Sequence, residues 1–220
     1  DGEKPAKLEN SGPVSSAPQS LVTTTEREWT SGEAMKTMQF AMLTLCGCAY
    51  AIPWGVVSAH ARLHLKDMGF EVNAAAGMLS ILALVSVFGR LLGGLGDVLP
   101  ARVLLSISLA IEGVGMGLLV LADTRFMAYT SLTMVGLGFG AAYISVPVVM
   151  ADYFGRRAFA TTSGVRMMIT GIFNALSPFL TGMIYDDVKS YTVPFLSILV
   201  LCLTGAAVAA VMRRPVPRTH

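Results

Sequence analysis

Charge is what this 220-residue sequence has least of. Only 14% of its residues are Asp, Glu, Lys or Arg, against about a quarter in soluble domains. A surface facing water all round is therefore excluded. The net charge of +2 gives no footing for nucleic acid as a partner. Three cysteines are too few, and odd in number, for a disulfide framework. Cys46, Cys48 and Cys202 all fall in apolar runs, and Cys46-Gly47-Cys48 has no third or fourth ligand nearby. They read as small buried hydrophobes, with no metal site. HExxH, a phosphate loop, and a Ser or Cys activated by a neighbouring base are all missing, which argues against an enzyme and against a cofactor. An apolar signal-peptide core is missing from the first residues as well. The chain lacks an initiator Met, and its opening Asp1-Gly2-Glu3-Lys4 reads as cut from something longer.

What is abundant is apolar sequence: 54% of residues are hydrophobic and the mean hydropathy is +0.63. Residues 1–28 stand apart. They are polar and rich in Ser, Thr, Pro and Glu, a composition that cannot bury enough apolar surface to order itself, and are read as a flexible linker. Thr30-Ser31-Gly32-Glu33 has the pattern of a capping box and predicts a short helix. Six apolar segments follow, at about 38–60, 74–95, 103–122, 127–149, 162–184 and 194–212. Each approaches the ~20 residues that cross a ~30 Å hydrocarbon core. The connections are short, as antiparallel neighbours require, and the runs lack the alternation of a transmembrane barrel. The expected organisation is a linker over 1–28, a six-helix transmembrane domain over 29–214 and a tail over 215–220.

Lys and Arg set the expected orientation. Lys4, Lys7, Arg27, Lys36, Arg102, Arg156, Arg157, Arg213, Arg214 and Arg218 fall on one side, and Arg62, Lys66, Arg125 and Lys189 on the other. The richer side is expected to be cytoplasmic, with both termini there. Pro53 and Pro178, and the cluster Gly136, Gly138 and Gly140, leave two readings open. Small residues let membrane helices pack closely; broken helices line a path that opens and closes.

Gly89-Arg90-Leu91-Leu92-Gly93-Gly94-Leu95-Gly96-Asp97, then Pro100-Ala101-Arg102, ends the second segment and makes the turn to the third. Gly93, Leu95, Gly96, Asp97, Pro100 and Arg102 resemble the turn between the second and third helices of each half of the major facilitator superfamily; Val98 departs from it, where a basic residue is usual. Val57-Ser58-Ala59-His60 with Lys66-Asp67-Met68-Gly69-Phe70 is similar to the first hairpin of the oxalate/formate-antiporter and monocarboxylate-porter group. Tyr153-Phe154-Gly155-Arg156-Arg157 and Glu33-Ala34-Met35 leading to Gln39-Phe40 resemble the same group. The resemblance covers about residues 29–214. It implies an all-α membrane protein whose six transmembrane helices form the C-terminal half of a twelve-helix fold, with 1–28 from the central loop and the N-terminal six-helix half as the missing partner.

Ionisable residues inside a membrane are costly and are functional candidates by default. Arg90 lies seven residues above Asp97, roughly 10 Å into the bilayer. In the resembled porters a basic residue in this helix helps to bind the anion, and a guanidinium suits a carboxylate. A structural ion pair and snorkelling are the alternatives. Arg166, four residues into the fifth segment, is expected to snorkel or to form a gate ion pair, with substrate binding as the alternative. Glu112 is a candidate proton carrier near the midplane; because the third helix of each half is peripheral in the resembled fold, a protonated structural Glu is preferred. Tyr50 and Asn174 are candidates for hydrogen bonds to substrate, or equally between helices. Trp54 is a cavity wall or ordinary packing. His60 and His64 are read as polar residues at the outer end of the first segment. Gly93, Asp97 and Arg102 are expected to gate, with Asp97 facing the N-terminus of the fifth helix near Thr161, Thr162 and Ser163.

The functional expectation is a secondary transporter in the plasma or bacterial inner membrane. It would move a small organic anion, a mono- or dicarboxylate, by alternating access with proton symport or anion exchange. Its partners would be the anion, the lipid bilayer and the missing half. The rivals are a carrier of the same fold for a sugar, drug or nitrate, and a non-transporting receptor of that fold.

Overall fold

Thr30 caps the first helix in both directions: its hydroxyl accepts the Glu33 amide, and the Glu33 carboxylate accepts the Thr30 amide. The computed structural model describes residues 29–93 and 99–215. The elements are α1 (Ser31–Met35), α2 (Met38–Asp67), α3 (Val72–Gly93), α4 (Ala101–Val120), α5 (Arg125–Val188) and α6 (Thr192–Val211), with no strand among the described residues. The linker over 1–28, Asp97 with the rest of 94–98, and all of the 215–220 tail but Pro215 lie outside the described residues.

Five of these helices are long and apolar enough to cross a membrane. The six expected segments are reached because α5, at 64 residues, holds two. A straight helix of that length would run to about 96 Å, three times a hydrocarbon core. Gly155 breaks it, with φ 71° and ψ 176°, a conformation open essentially to glycine alone. Ser163 thereby comes back against Met150. The first arm is residues 125–154 and the second 156–188.

This break corrects two expected boundaries. The second arm begins immediately after Gly155, six residues before 162, so Thr161–Ser163 lie within it rather than at its N-terminus. Thr162 already donates its hydroxyl to the Ala158 carbonyl one turn back. Any carboxylate facing this helix N-terminus would meet residues 156–159 instead. Likewise α2 continues to Asp67, so His60 and His64 are helical, not loop, residues. His64 is buried, donates to the Leu119 carbonyl (3.1 Å) and lies edge-on to Phe195.

Helix α5 packs against α4, α3 and α2, its first arm against α3 and α4 through glycines. A side chain at Gly136 or Gly140 would strike the α3 backbone, at Leu82 and at Ser86 and Arg90 respectively. One at Gly138 would strike Ser108 and Glu112 of α4. Between the two readings of this glycine cluster, the structure takes close packing. Two apolar clusters fill the bundle, one containing Leu105 and Leu109 and the other Met116 and Leu119. Glu112 lies on α4 between them.

Candidate functional site

The second arm of α5 inverts the usual pattern of a helix. Beyond Ala158, its buried residues are Thr162, Arg166, Thr170, Ser177 and Thr181, all polar and spaced by four or seven. That spacing places them on one stripe. Between Gly164 and Met183 its exposed positions are apolar, including Met167, Phe173, Leu176 and Phe179. A helix turned inside out in this way suits lipid or a neighbouring helix on its outer faces, with polar groups kept inside.

Arg166 is the centre of that stripe, at 1% exposure. Glycine makes the space: a side chain at Gly47 on α2 would run into the Arg166 guanidinium and Thr170. Arg166 Nη1 donates to the Tyr50 hydroxyl at 3.4 Å, while its Nε has no partner. Among the described residues no carboxylate pairs with it. Arg166 does not reach out to the end of the bundle as snorkelling would require; it is buried against α2, with Tyr50 as its partner.

Next to Tyr50, the hydrogen-bond partner of Arg166, lies a cavity of about 190 Å³ that Arg166 itself does not line. Its polar lining is Tyr50, Thr170 and Asn174, and Asn174 Oδ1 is buried without a hydrogen-bond partner. Its aromatic wall is Trp54, Phe139 and Tyr143. Trp54 stacks on Phe139 with centroids 4.1 Å apart, and Tyr50 meets both Phe139 and Tyr143. Trp54 is thus a cavity wall and a packing residue at once. Arg90 of α3 lies against Tyr143 of the aromatic wall without lining the cavity itself. It is exposed, with its guanidinium carbon 5.1 Å from the centre of the Tyr143 ring, the geometry of a cation–π contact. Tyr50 and Asn174 therefore share this space, with Arg166 behind it on Tyr50 and Arg90 outside it on Tyr143.

Glu112 does not join them. It is fully buried on α4, packed against Gly138, and both carboxylate oxygens lack a hydrogen-bond partner among the described residues. Gly93 packs on Ile144 of the first arm. Arg102 donates to the Met212 carbonyl at 2.8 Å and ties the start of α4 to the end of α6. Phe139, Tyr143 and Thr170 were not anticipated. The four-residue spacing of the two aromatics was a signal for one helix face, but it did not say which face.

Residues 43–220 match the Major Facilitator Superfamily. The chain belongs to that superfamily. Within it, the chain is 30% identical over 173 residues to a protein of Rattus norvegicus named monocarboxylate transporter 13, covering 76% of this chain and 39% of that one. Monocarboxylate transporter 13 of Bos taurus is 30% identical over 170 residues, with the same coverage of both. Monocarboxylate transporter 2 of Mesocricetus auratus is 29% identical over 133 residues, 58% of this chain and 28% of that protein. The chain thus spans about two fifths of the length of the first two relatives. As a member of this superfamily with five apolar helices, one of them doubled, it is a multi-pass membrane protein.

Proposed function

We propose that this chain supplies one six-helix half of a secondary transporter for a small organic anion, a mono- or dicarboxylate, with Arg166 as its anion ligand. The observation that carries the reading is a guanidinium at 1% exposure with no counter-charge among the described residues, held by Tyr50, which lines a cavity. A buried charge without a partner is costly, and a carboxylate entering that cavity would supply the partner. Arginine offers a two-pronged hydrogen bond to such a group. Tyr50 and Asn174 would hold the remaining polar atoms, and Trp54, Phe139 and Tyr143 would cover the carbon skeleton. Arg90, lying against Tyr143, would draw the anion inward. The relatives named as monocarboxylate transporters support the same substrate class.

The rest of the proposal concerns the whole transporter. The second half would pair with the apolar outer faces, and the two would rock about the site to give alternating access, driven by proton symport or anion exchange. Asp97 with Gly93 and Arg102 would form the gate, with Gly93 packed on Ile144 and Arg102 tied to the Met212 carbonyl. Glu112 fits a protonated structural carboxyl better than a proton carrier, since it faces the first arm away from the cavity. The excess of Lys and Arg at the end that holds Arg102, Arg156 and Arg213 supports cytoplasmic termini, in a plasma or bacterial inner membrane.

The test is uptake of labelled small carboxylates by vesicles holding this half joined to its first half. Saturable uptake should be lost in Arg166→Gln and weakened in Arg90→Gln. Uptake unchanged by Arg166→Gln would remove the anion-ligand role. Uptake of a sugar, drug or nitrate in place of any carboxylate would shift the reading to a carrier of another solute.

A further inference from the structure

A second, larger cavity of about 810 Å³ opens at the end of the bundle formed by the start of α4, the end of α5's first arm and the residues after α6. It shares no lining residue with the cavity at Tyr50. Four guanidiniums line it, from Arg102, Arg156, Arg213 and Arg214, against one carboxylate, Asp152. Asp152 is engaged with Arg214, and this pairing holds the Arg214 pKa above its ordinary value. Arg102 is partly engaged by the Met212 carbonyl. Among the described residues Arg156 and Arg213 have no ion-pair partner for their side chains, and both are exposed. Among the described residues the site therefore carries an excess of positive charge.

One wall of the same cavity is apolar, with Val148 and Val149 from α5 and Ala101 from α4. Val148 is 42% exposed. The helices that bound the cavity continue into exposed apolar residues within about two turns, Val103 and Ile107 on α4 and Val211 on α6. An anion site at the end of membrane-crossing helices, with an apolar wall on one side, matches a headgroup and its acyl chains together. A free phosphate would use the arginines and leave the wall idle.

We propose that this cavity binds the headgroup of an anionic phospholipid, with Arg156 and Arg213 on the phosphate and the Val148 wall against the acyl chains. The site is separate from the substrate cavity and does not depend on the carboxylate reading. Basic pockets between membrane helices at the cytoplasmic face hold anionic headgroups by this chemistry.

The test is binding to the whole chain, purified in a neutral detergent, of phosphatidylglycerol, phosphatidylcholine and inorganic phosphate in turn. Phosphatidylglycerol should bind about tenfold or more tighter than phosphatidylcholine, weakening with salt. Arg213→Gln should weaken it roughly fivefold, and Arg156→Gln with Arg213→Gln roughly twenty-five-fold. Arg125→Gln, at the opposite end, should leave it unchanged. The single variant keeps the test valid if the double variant does not fold, as its thermal midpoint without lipid will report. Equal binding of the two lipids, equal binding of inorganic phosphate, or an equal loss in Arg125→Gln would each overturn the proposal.

Discussion

The two arms of α5 are similar in composition and opposite in use. The first arm puts Gly136, Gly138 and Gly140 against the backbones of α3 and α4, so its glycines are closed space. On the second arm, added side chains at Gly164 and Gly171 would meet nothing within 4 Å. The first arm buries apolar residues such as Leu132, Val135, Phe139 and Val146; the second buries Thr162, Arg166 and Thr170. One arm is the scaffold, and the other holds a charged stripe against α2. In a membrane, glycine-rich helices of like hydropathy can thus differ in role, and the neighbours of each glycine tell the roles apart.

The largest expected effect lies on the second arm. Arg166→Gln should lower carboxylate affinity by about a hundredfold or more, the scale of removing a buried charged partner, as read from uptake against concentration. Arg166→Met should at the same time raise the thermal midpoint, because replacing a buried charge by a well-packed apolar group stabilises by about 1–4 kcal/mol. A midpoint that falls in Arg166→Met would break the contrast, since Arg166 would then be part of the scaffold.

The next effect belongs to the first arm. Gly140→Ala would press a methyl group into the α3 backbone, and overpacking of this kind costs about 1–3 kcal/mol. Thermal unfolding in detergent should show a clear drop. An unchanged midpoint would mean that α3 yields easily and that the first arm is no scaffold.

Smaller effects sharpen the comparison. Tyr50→Phe removes the hydrogen bond to Arg166 and should weaken substrate binding by about three- to tenfold, matching ~0.5–1.5 kcal/mol, with the fold intact by thermal melt. Gly171→Ala should leave stability within about 0.5 kcal/mol of the parent. A loss as large as that of Gly140→Ala would erase the distinction between the arms.

Much of this organisation was legible before the fold was seen. Apolar length located the six segments, and Thr30 with Glu33 announced α1, because both signals are local. The joining of two segments into α5 was not legible. Tyr153-Phe154-Gly155-Arg156-Arg157 reads as a polar connection, and only the backbone at Gly155 shows a break with helix on both sides. From that one miss came the misplaced N-terminus near Thr161. Arg90, Arg166, Tyr50 and Asn174 stood out as polar residues in apolar runs. Which of them meet across helices depends on rotation and crossing, set by contacts such as Gly47 on Arg166 that lie more than a hundred residues apart. The aromatic wall stayed hidden for a related reason, since Phe139 and Tyr143 look like any apolar positions until a cavity is found beside them.

The central claim is that buried Arg166 waits for an anionic partner. Its most direct test is the thermal midpoint of this half joined to its first half, measured with and without a small carboxylate. A ligand that binds only the folded state raises the midpoint, by about 2.7 kcal/mol of stability at a hundred times its dissociation constant. The rise should appear in the parent and in Gly164→Ala, whose added methyl group would meet nothing within 4 Å, and vanish in Arg166→Gln. An equal rise in Arg166→Gln would contradict the claim and place the anion elsewhere.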